Sequence, residues 1–301
     1  MYLYHFGLRE LPFTLTPNTD FFLNLKPHVE AMQVLLNALR QGEGFIKVTG
    51  EVGTGKTLIC RKLLNELPKG FCVAYIPNPY LSPAELRWAL AVELGLKFSA
   101  NIDQQQLTQM LQQHLLSLSA QGKAVVLILD EAQALPDESL EALRLLTNLE
   151  TERRKLIQVV LFGQPELDER LNLAQFRQLR QRISFSYKLR SMTLGEVTHY
   201  IEHRCQVAVY QGKGLFDGTG VKQIFRASRG IPRLVNILCH KSLLLGFGNG
   251  ARAINNKHIG SAIKDTIDAN QASRLWLAGL VTASLCTLSA IGYFIVFGGL
   301  S

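Results

Sequence analysis

The sequence lacks most of what marks an exported or disulfide-built protein. Its five cysteines, Cys60, Cys72, Cys205, Cys239 and Cys286, are odd in number, scattered, and form no C-x-x-C pair. That excludes a disulfide framework and a zinc knuckle and suits a reducing compartment. The start, MYLYHFGLRELPF, has no long apolar core behind basic residues, so it reads as neither a secretory leader nor a transit peptide. No segment repeats and no long linker interrupts the chain, which leaves compact domains rather than a solenoid. Acidic residues are outnumbered: 24 Asp and Glu against 32 Lys and Arg give a formal charge of +8. This balance is open to nucleic acid, an anionic membrane surface or phosphorylated ligands. The longest absence is at the end, where the 26 residues from Leu275 to Leu300 hold no charged side chain.

What is present first is an alternation. Short apolar, branched runs stand at 45–50 (FIKVTG), 71–77 (FCVAYIP), 124–130 (AVVLILD), 156–163 (LIQVVLFG) and 183–189 (ISFSYKL), and such runs suit strands buried on both faces. Between them apolar residues return every three or four positions, as at Leu107, Met110, Leu111, Leu115 and Leu118, the mark of helices with one buried stripe. The glutamines around that stripe are read as its solvated face. Strand alternating with helix predicts an α/β fold on a parallel sheet. After residue 190 the strand signal fades. Thr193 and Glu196 have capping-box spacing, Pro232 suits a first helical position, and Asn255 or Asn256 suits a cap, so residues 191–268 are expected to form a small helical domain behind a nucleotide domain at 1–190.

The chemistry begins at GEVGTGKT. Gly50, Gly53, Gly55, Lys56 and Thr57 satisfy G-x-x-x-x-G-K-[ST] between an expected strand and an expected helix, the context that gives the pattern meaning. Glycines let the backbone N–H groups of Glu51, Val52, Thr54 and Leu58 and their neighbours curl around phosphates, Lys56 reaches the β and γ oxygens, and Thr57 offers a hydroxyl to Mg²⁺. The run VVLILDEAQ then drives a buried strand whose end presents Asp130 to orient Mg²⁺ and Glu131 as candidate base for an attacking water. ATP and Mg²⁺ are therefore the expected substrate and cofactor. DEAQ is set apart from helicase boxes for want of the accompanying motifs, and Gln133 is read as the start of a helix. HYIEH, from His199 to His203, has the spacing of inverted zinc proteases but falls in an expected helix and is read as structural.

The paired phosphate motifs, the opening FGLRELPFTLTPNTDFFL, LFGQPEL after the fourth run, LRQRI before the fifth, and GIPRL in the helical part together resemble the AAA+ ATPases of the ExeA/GspA secretion group. Among its members, those serving MSHA pilus biogenesis share the short chain with a terminal apolar run. The resemblance covers nearly the whole chain. It implies a five-stranded parallel αβα nucleotide domain, a helical lid, and a ring-like homo-oligomer, with a hexamer as one candidate size, and ATP at subunit junctions. It also implies roles for single residues: Gln164 as a polar sensor of the γ-phosphate, Arg180 or Arg182 as the arginine finger reaching a neighbour's site, with Arg177 a weaker third, and Arg233 as the lid arginine sensing nucleotide in its own subunit.

The terminal run would measure roughly 39 Å as a helix, at about 1.5 Å per residue, against a hydrocarbon core of roughly 30 Å. Residues 269–301 are accordingly expected to be a short linker and a single transmembrane helix. Lys257, Lys264 and Arg274 precede the run and no basic residue follows it, so the ATPase domain is expected on the cytoplasmic side of a bacterial inner membrane. The expected partners are copies of the chain, membrane lipid, and inner-membrane proteins of a pilus or secretion system. Two other readings remain open on the residues: a DNA-associated AAA+ regulator, against which the terminal run argues, and a nucleotide-binding scaffold with little turnover.

Overall fold

The structure is a computed structural model and describes residues 2–16, 19–99, 101–150, 155–212 and 214–269. The expected membrane helix at 275–301 lies outside the described residues; among those described, no helix is long and apolar enough to cross a membrane. In chain order the helices and strands are α1 (Tyr2–Phe6), α2 (Lys26–Gln41), β1 (Phe45–Gly50), α3 (Lys56–Glu66), β2 (Phe71–Ile76), α4 (Pro83–Glu93), α5 (Gln104–Ala120), β3 (Ala124–Leu129), α6 (Asp137–Leu146), β4 (Ile157–Gly163), α7 (Pro165–Leu171), α8 (Arg177–Arg182), β5 (Ile183–Leu189), α9 (Leu194–Val207), α10 (Gly218–Ser228), α11 (Pro232–Gly248) and α12 (Asn256–Lys264). They divide into two compact units. One is Asn24–Arg190; the other gathers the described residues before Asn24 with those from Ser191 to Ala269. The N-terminal residues group with the helical part and not with the nucleotide part.

All five runs expected to be strands are strands, in one parallel sheet of order β2-β3-β4-β1-β5. The two-residue period of a strand sorts the side chains onto two cores. Val126, Ile128, Val160 and Phe162 pack with Leu35, Ile59 and Leu63 of α2 and α3. Their sequence neighbours Leu127, Leu129, Val159 and Leu161 pack with Leu86, Leu111, Leu140 and Leu143 of α4, α5 and α6. Full burial on both faces holds for β4 and nearly so for β3 and β1. It fails at the edges: β5 alternates half-buried and exposed residues until Leu189, and β2 is largely half-buried. An edge strand is covered on fewer sides, so an alternating sequence such as ISFSYKL is what that position admits.

Three polar residues of the inner strands β4 and β1 have partners. Gln158 in β4 donates to the carbonyls of Leu39 and Glu43, each at 3.1 Å, which satisfies backbone acceptors at the end of α2. Lys47 in β1 forms an ion pair with Asp168 of α7, and Thr49 donates to the same carboxylate at 2.8 Å.

The second unit packs α9 to α12 with the N-terminal segment. Thr193 and Glu196 close the capping box on α9, Pro232 opens α11, and Asn255 caps α12 by accepting from Lys257 and His258 N–H groups. Gly230, just before α11, has φ +72°, and a Cβ there would lie 2.0 Å from the Met192 carbonyl oxygen; only glycine fits both the backbone angle and the space. Buried Arg204 donates to the Pro12 carbonyl and, at 3.0 Å, to the Tyr200 hydroxyl, with its guanidinium 4.7 Å from the Phe21 ring centroid. Tyr200 in turn donates to Asn236, whose amide reaches the Thr14 carbonyl at 3.2 Å. FGLRELPF therefore serves as part of the helical unit's own core.

Candidate functional site

In the strand order β3-β4-β1, three neighbouring strands end on the same side of a parallel sheet. Their sequels are the chemistry: the glycine loop after β1, Asp130 and Glu131 after β3, and Gln164 after β4. This is where an open parallel sheet ordinarily receives a ligand.

The loop from Gly50 to Leu58 curls because Gly53 and Gly55 take φ of 81° and 100°. Thr54 ties it across its width, donating from backbone N–H and hydroxyl to the Glu51 carbonyl at 3.3 and 2.8 Å. Behind it, buried His28 of α2 contacts the Thr54 carbonyl at 3.2 Å. Glu51 and Val52 are exposed, and Thr57 and Leu58 are half-buried in the first turn of α3. Lys56 is buried, with 5% of its surface exposed, and its ammonium donates to the Gly50 and Glu51 carbonyls at 2.8 and 3.1 Å. Burial holds its pKa below the ordinary lysine value, with Glu131 and Asp130 pulling the other way. A buried ammonium resting on neutral carbonyls of its own loop, among curled N–H groups, fits the phosphates of a nucleotide, which would replace those acceptors with charged oxygens.

The two carboxylates are set differently. Asp130 is almost fully buried; burial raises its pKa, partly offset by hydrogen bonds from the Thr57 hydroxyl and the Glu131 N–H, the latter at 3.0 Å. Thr57 and Asp130 are therefore adjacent oxygens of the kind Mg²⁺ prefers. Glu131 is the first residue of a tight turn, with φ +53°. Its Oε2 accepts from the side-chain amides of Gln133 at 2.5 Å and Gln164 at 3.0 Å. Burial pushes this carboxyl up, but the Gln133 and Gln164 hydrogen bonds, with Lys56 nearby, outweigh it and hold it below the usual glutamate value. An ionised carboxylate held in this way can take a proton from water.

Lys56, Thr57, Asp130, Glu131 and Gln164 are thus brought together at one end of the sheet. Gln133, read from sequence as a helix start, is a member of the cluster; its only sequence signal is an amide two residues after the glutamate. The arginines have other settings. Arg182 is half-buried and donates to the Arg144 carbonyl at 3.4 Å and the Thr147 hydroxyl at 3.3 Å. Arg180 is exposed, touching Asn172 at 3.2 Å, and Arg177 is exposed. Arg233 belongs to the helical unit, exposed in the first turn of α11.

Known proteins agree with this geometry. The family described as AAA domain matches residues 39–171. General secretion pathway protein A of Aeromonas hydrophila is 40% identical over 283 residues, which is 94% of this chain and 51% of that protein, so the chain spans about half the length of this relative. Among solved structures, Cdc6p from Pyrobaculum aerophilum superposes with a TM-score of 0.64 at 20% identity, covering 84% of this chain and 70% of that one. The Aeropyrum pernix ORC2 protein, solved as ADPNP-ADP complexes, gives 0.61 at 14% identity over 86% and 72%. These two likenesses speak to fold. The phosphate loop, the paired carboxylates and strands β1 to β4 lie within residues 39–171, which match the AAA domain and mark that part of the chain as an AAA-type ATPase domain, and the chain is similar along most of its length to General secretion pathway protein A.

Proposed function

We propose that this chain is a membrane-anchored AAA+ ATPase that uses ATP hydrolysis to assemble or position a bacterial pilus or secretion envelope complex, with MSHA-type pilus biogenesis the most specific form of that reading. The observation that carries the catalytic half is the meeting of Lys56, Asp130, Glu131 and Gln164 at the ends of β1, β3 and β4. The identity to General secretion pathway protein A carries the cellular half.

In this reading the loop N–H groups and Lys56 bind the phosphates of ATP, and Thr57 and Asp130 hold Mg²⁺, which supplies charge neutralisation to the phosphoryl oxygens. Glu131 takes the proton of the attacking water, and Gln164 holds the γ-phosphate end of the site. The helical unit acts as the lid, with Arg233 reading nucleotide in its own subunit. Copies assemble as a ring, and Arg180 is the better placed finger because its guanidinium is exposed while that of Arg182 is engaged at the end of α6. The apolar run after residue 274 anchors the assembly in the inner membrane, with the ATPase on the cytoplasmic side.

Steady-state phosphate release tests the enzyme. Glu131→Gln is expected to lower it by about two orders of magnitude with ATP affinity kept, whereas Lys56→Ala is expected to weaken binding of a fluorescent ATP analogue. Near-parental turnover in the first variant, or unchanged affinity in the second, would overturn the corresponding role. For the anchor, deletion of residues 275–301 is expected to move the protein from the membrane to the soluble fraction while it still binds ATP; a truncated protein that stays with membranes defeats that part.

A further inference from the structure

Gln133 joins the two halves of the hydrolytic end of the site. Its side-chain nitrogen donates to Glu131 Oε2 at 2.5 Å, and its side-chain oxygen accepts from the backbone N–H of Gln164 at 3.0 Å. These two contacts fix the amide's orientation, since only the nitrogen can face a carboxylate and only the oxygen can face an N–H. Gln164 also donates from its own side chain to the same Glu131 oxygen at 3.0 Å. The three residues form a closed loop of hydrogen bonds between the sequel of β3 and the sequel of β4.

The backbone of Gln133 is held as firmly as its side chain. It lies in the short turn Ala132–Ala134, and its carbonyl accepts from Arg170 of α7 at 2.7 Å. Arg170 is itself paired with Asp137 of α6. Gln164 is the N-cap of α7, so Gln133 is bonded to both the capping residue of that helix and its last turn. A shift of Gln164 therefore carries Gln133 with it, and Gln133 carries the carboxylate of Glu131.

We propose that Gln133 is the positioning residue of this site: its amide aims Glu131 and couples that carboxylate to Gln164, so that contact at the γ-phosphate end is passed to the base. The proposal rests on the reading of Glu131 as base. Glu131 has a left-handed backbone, φ +53°, which a glutamate adopts only where its surroundings dictate it. The Asp130 carboxylate fixes its N–H, and the two glutamines fix its side chain.

The test is steady-state ATP hydrolysis by the full chain carrying Gln133→Ala, with Gln133→Glu as the variant of equal size and binding of a fluorescent ATP analogue measured for both. In Gln133→Ala, kcat is expected to fall roughly tenfold, as for loss of a hydrogen bond to a charged group, with KM for ATP and analogue affinity nearly unchanged. Gln133→Glu replaces the donor with a like charge, so its kcat is expected at least as low. If kcat in both stays parental, or if analogue affinity falls as far as kcat does, the positioning role is overturned. Glu131→Gln measured alongside separates the two claims: near-parental turnover there means that the base assignment has failed and takes the positioning role with it.

Discussion

Asp130 and Glu131 are adjacent carboxylates with opposite settings, one pushed up by burial and one held down by amide donors. On the proposed function that contrast divides labour, with Asp130 the buried oxygen ligand beside Thr57 and Glu131 the ionised base. Asp130→Asn is accordingly expected to raise the Mg²⁺ concentration needed for half-maximal hydrolysis by about tenfold or more, the scale for losing one charged partner, with little effect on nucleotide binding measured without Mg²⁺. A Mg²⁺ titration that matches the parent would remove Asp130 from the metal site. At this scale the sequence is most informative where chemistry is contiguous. GEVGTGKT and LILDE show Lys56, Thr57, Asp130 and Glu131 directly, because each motif is built within a few residues. Gln133 is not legible in this way because its partner, the backbone of Gln164, stands 31 residues along the chain, and neither spacing nor periodicity encodes a hydrogen bond between two loops. Lys47 is hidden for the same reason, as its partner Asp168 is brought near only by the β1-β4 pairing.

Among the elements, α8 and the two arginines it carries invite a direct comparison. Arg182 satisfies a carbonyl and a hydroxyl at the end of α6, so Arg182→Ala is expected to cost about 1 kcal/mol of stability. Arg180→Ala, at an exposed position, is expected to stay within about 0.5 kcal/mol of the parent in a urea titration. If Arg180 is the finger, mixing Arg180→Ala with Glu131→Gln protein restores activity that neither has alone, because one junction in the mixed ring regains an intact pair. Mixtures that never exceed the separate activities, with subunit exchange verified, rule Arg180 out. Gly230 offers a second element-scale test. Its φ of +72° and the Met192 carbonyl at 2.0 Å from a built Cβ leave no room for a side chain, so Gly230→Ala is expected to destabilise the helical unit by about 2 kcal/mol or more. A urea midpoint equal to the parent's would show that the backbone can yield there. Helix starts are legible at this scale: Thr193, Pro232 and Asn255 each act locally on the next turn. Edge character in β5 and β2 is not, because an apolar run does not state how many neighbours its strand will have.

For the whole molecule, the main departure from the sequence reading is the N-terminal segment. A pattern read along the chain assigns residues 1–23 to the adjoining nucleotide unit, whereas their partners Arg204, Phe216, Asn236 and His240 lie some 200 residues later. Removal of residues 1–14 takes the four large buried side chains of Tyr2, Phe6, Leu8 and Phe13, together with buried Pro12, out of the helical unit. At about 1.5 kcal/mol each the loss is roughly 6 kcal/mol, comparable with the whole stability of a small domain. Such a truncation is expected to abolish the cooperative unfolding of the helical unit and to leave the unit of residues 24–190 folded. Retention of an unchanged thermal transition for the helical unit would count against the contacts described for that segment.

Synthesis runs in one direction, and this architecture does not follow it. Thr14 and its partner Asn236 are 222 residues apart, so at ~5–20 residues per second the segment leaves the ribosome roughly ten to forty-five seconds before the surface it belongs to exists. The unit of residues 24–190 is contiguous and can finish folding within that interval. Phe6, Leu8 and Phe13 are meanwhile born without a home, exposed to chaperones and to the helical units of older chains on the same messenger. The order of birth thus makes the first 23 residues the last to be placed, and makes neighbouring nascent copies the nearest competitors for them.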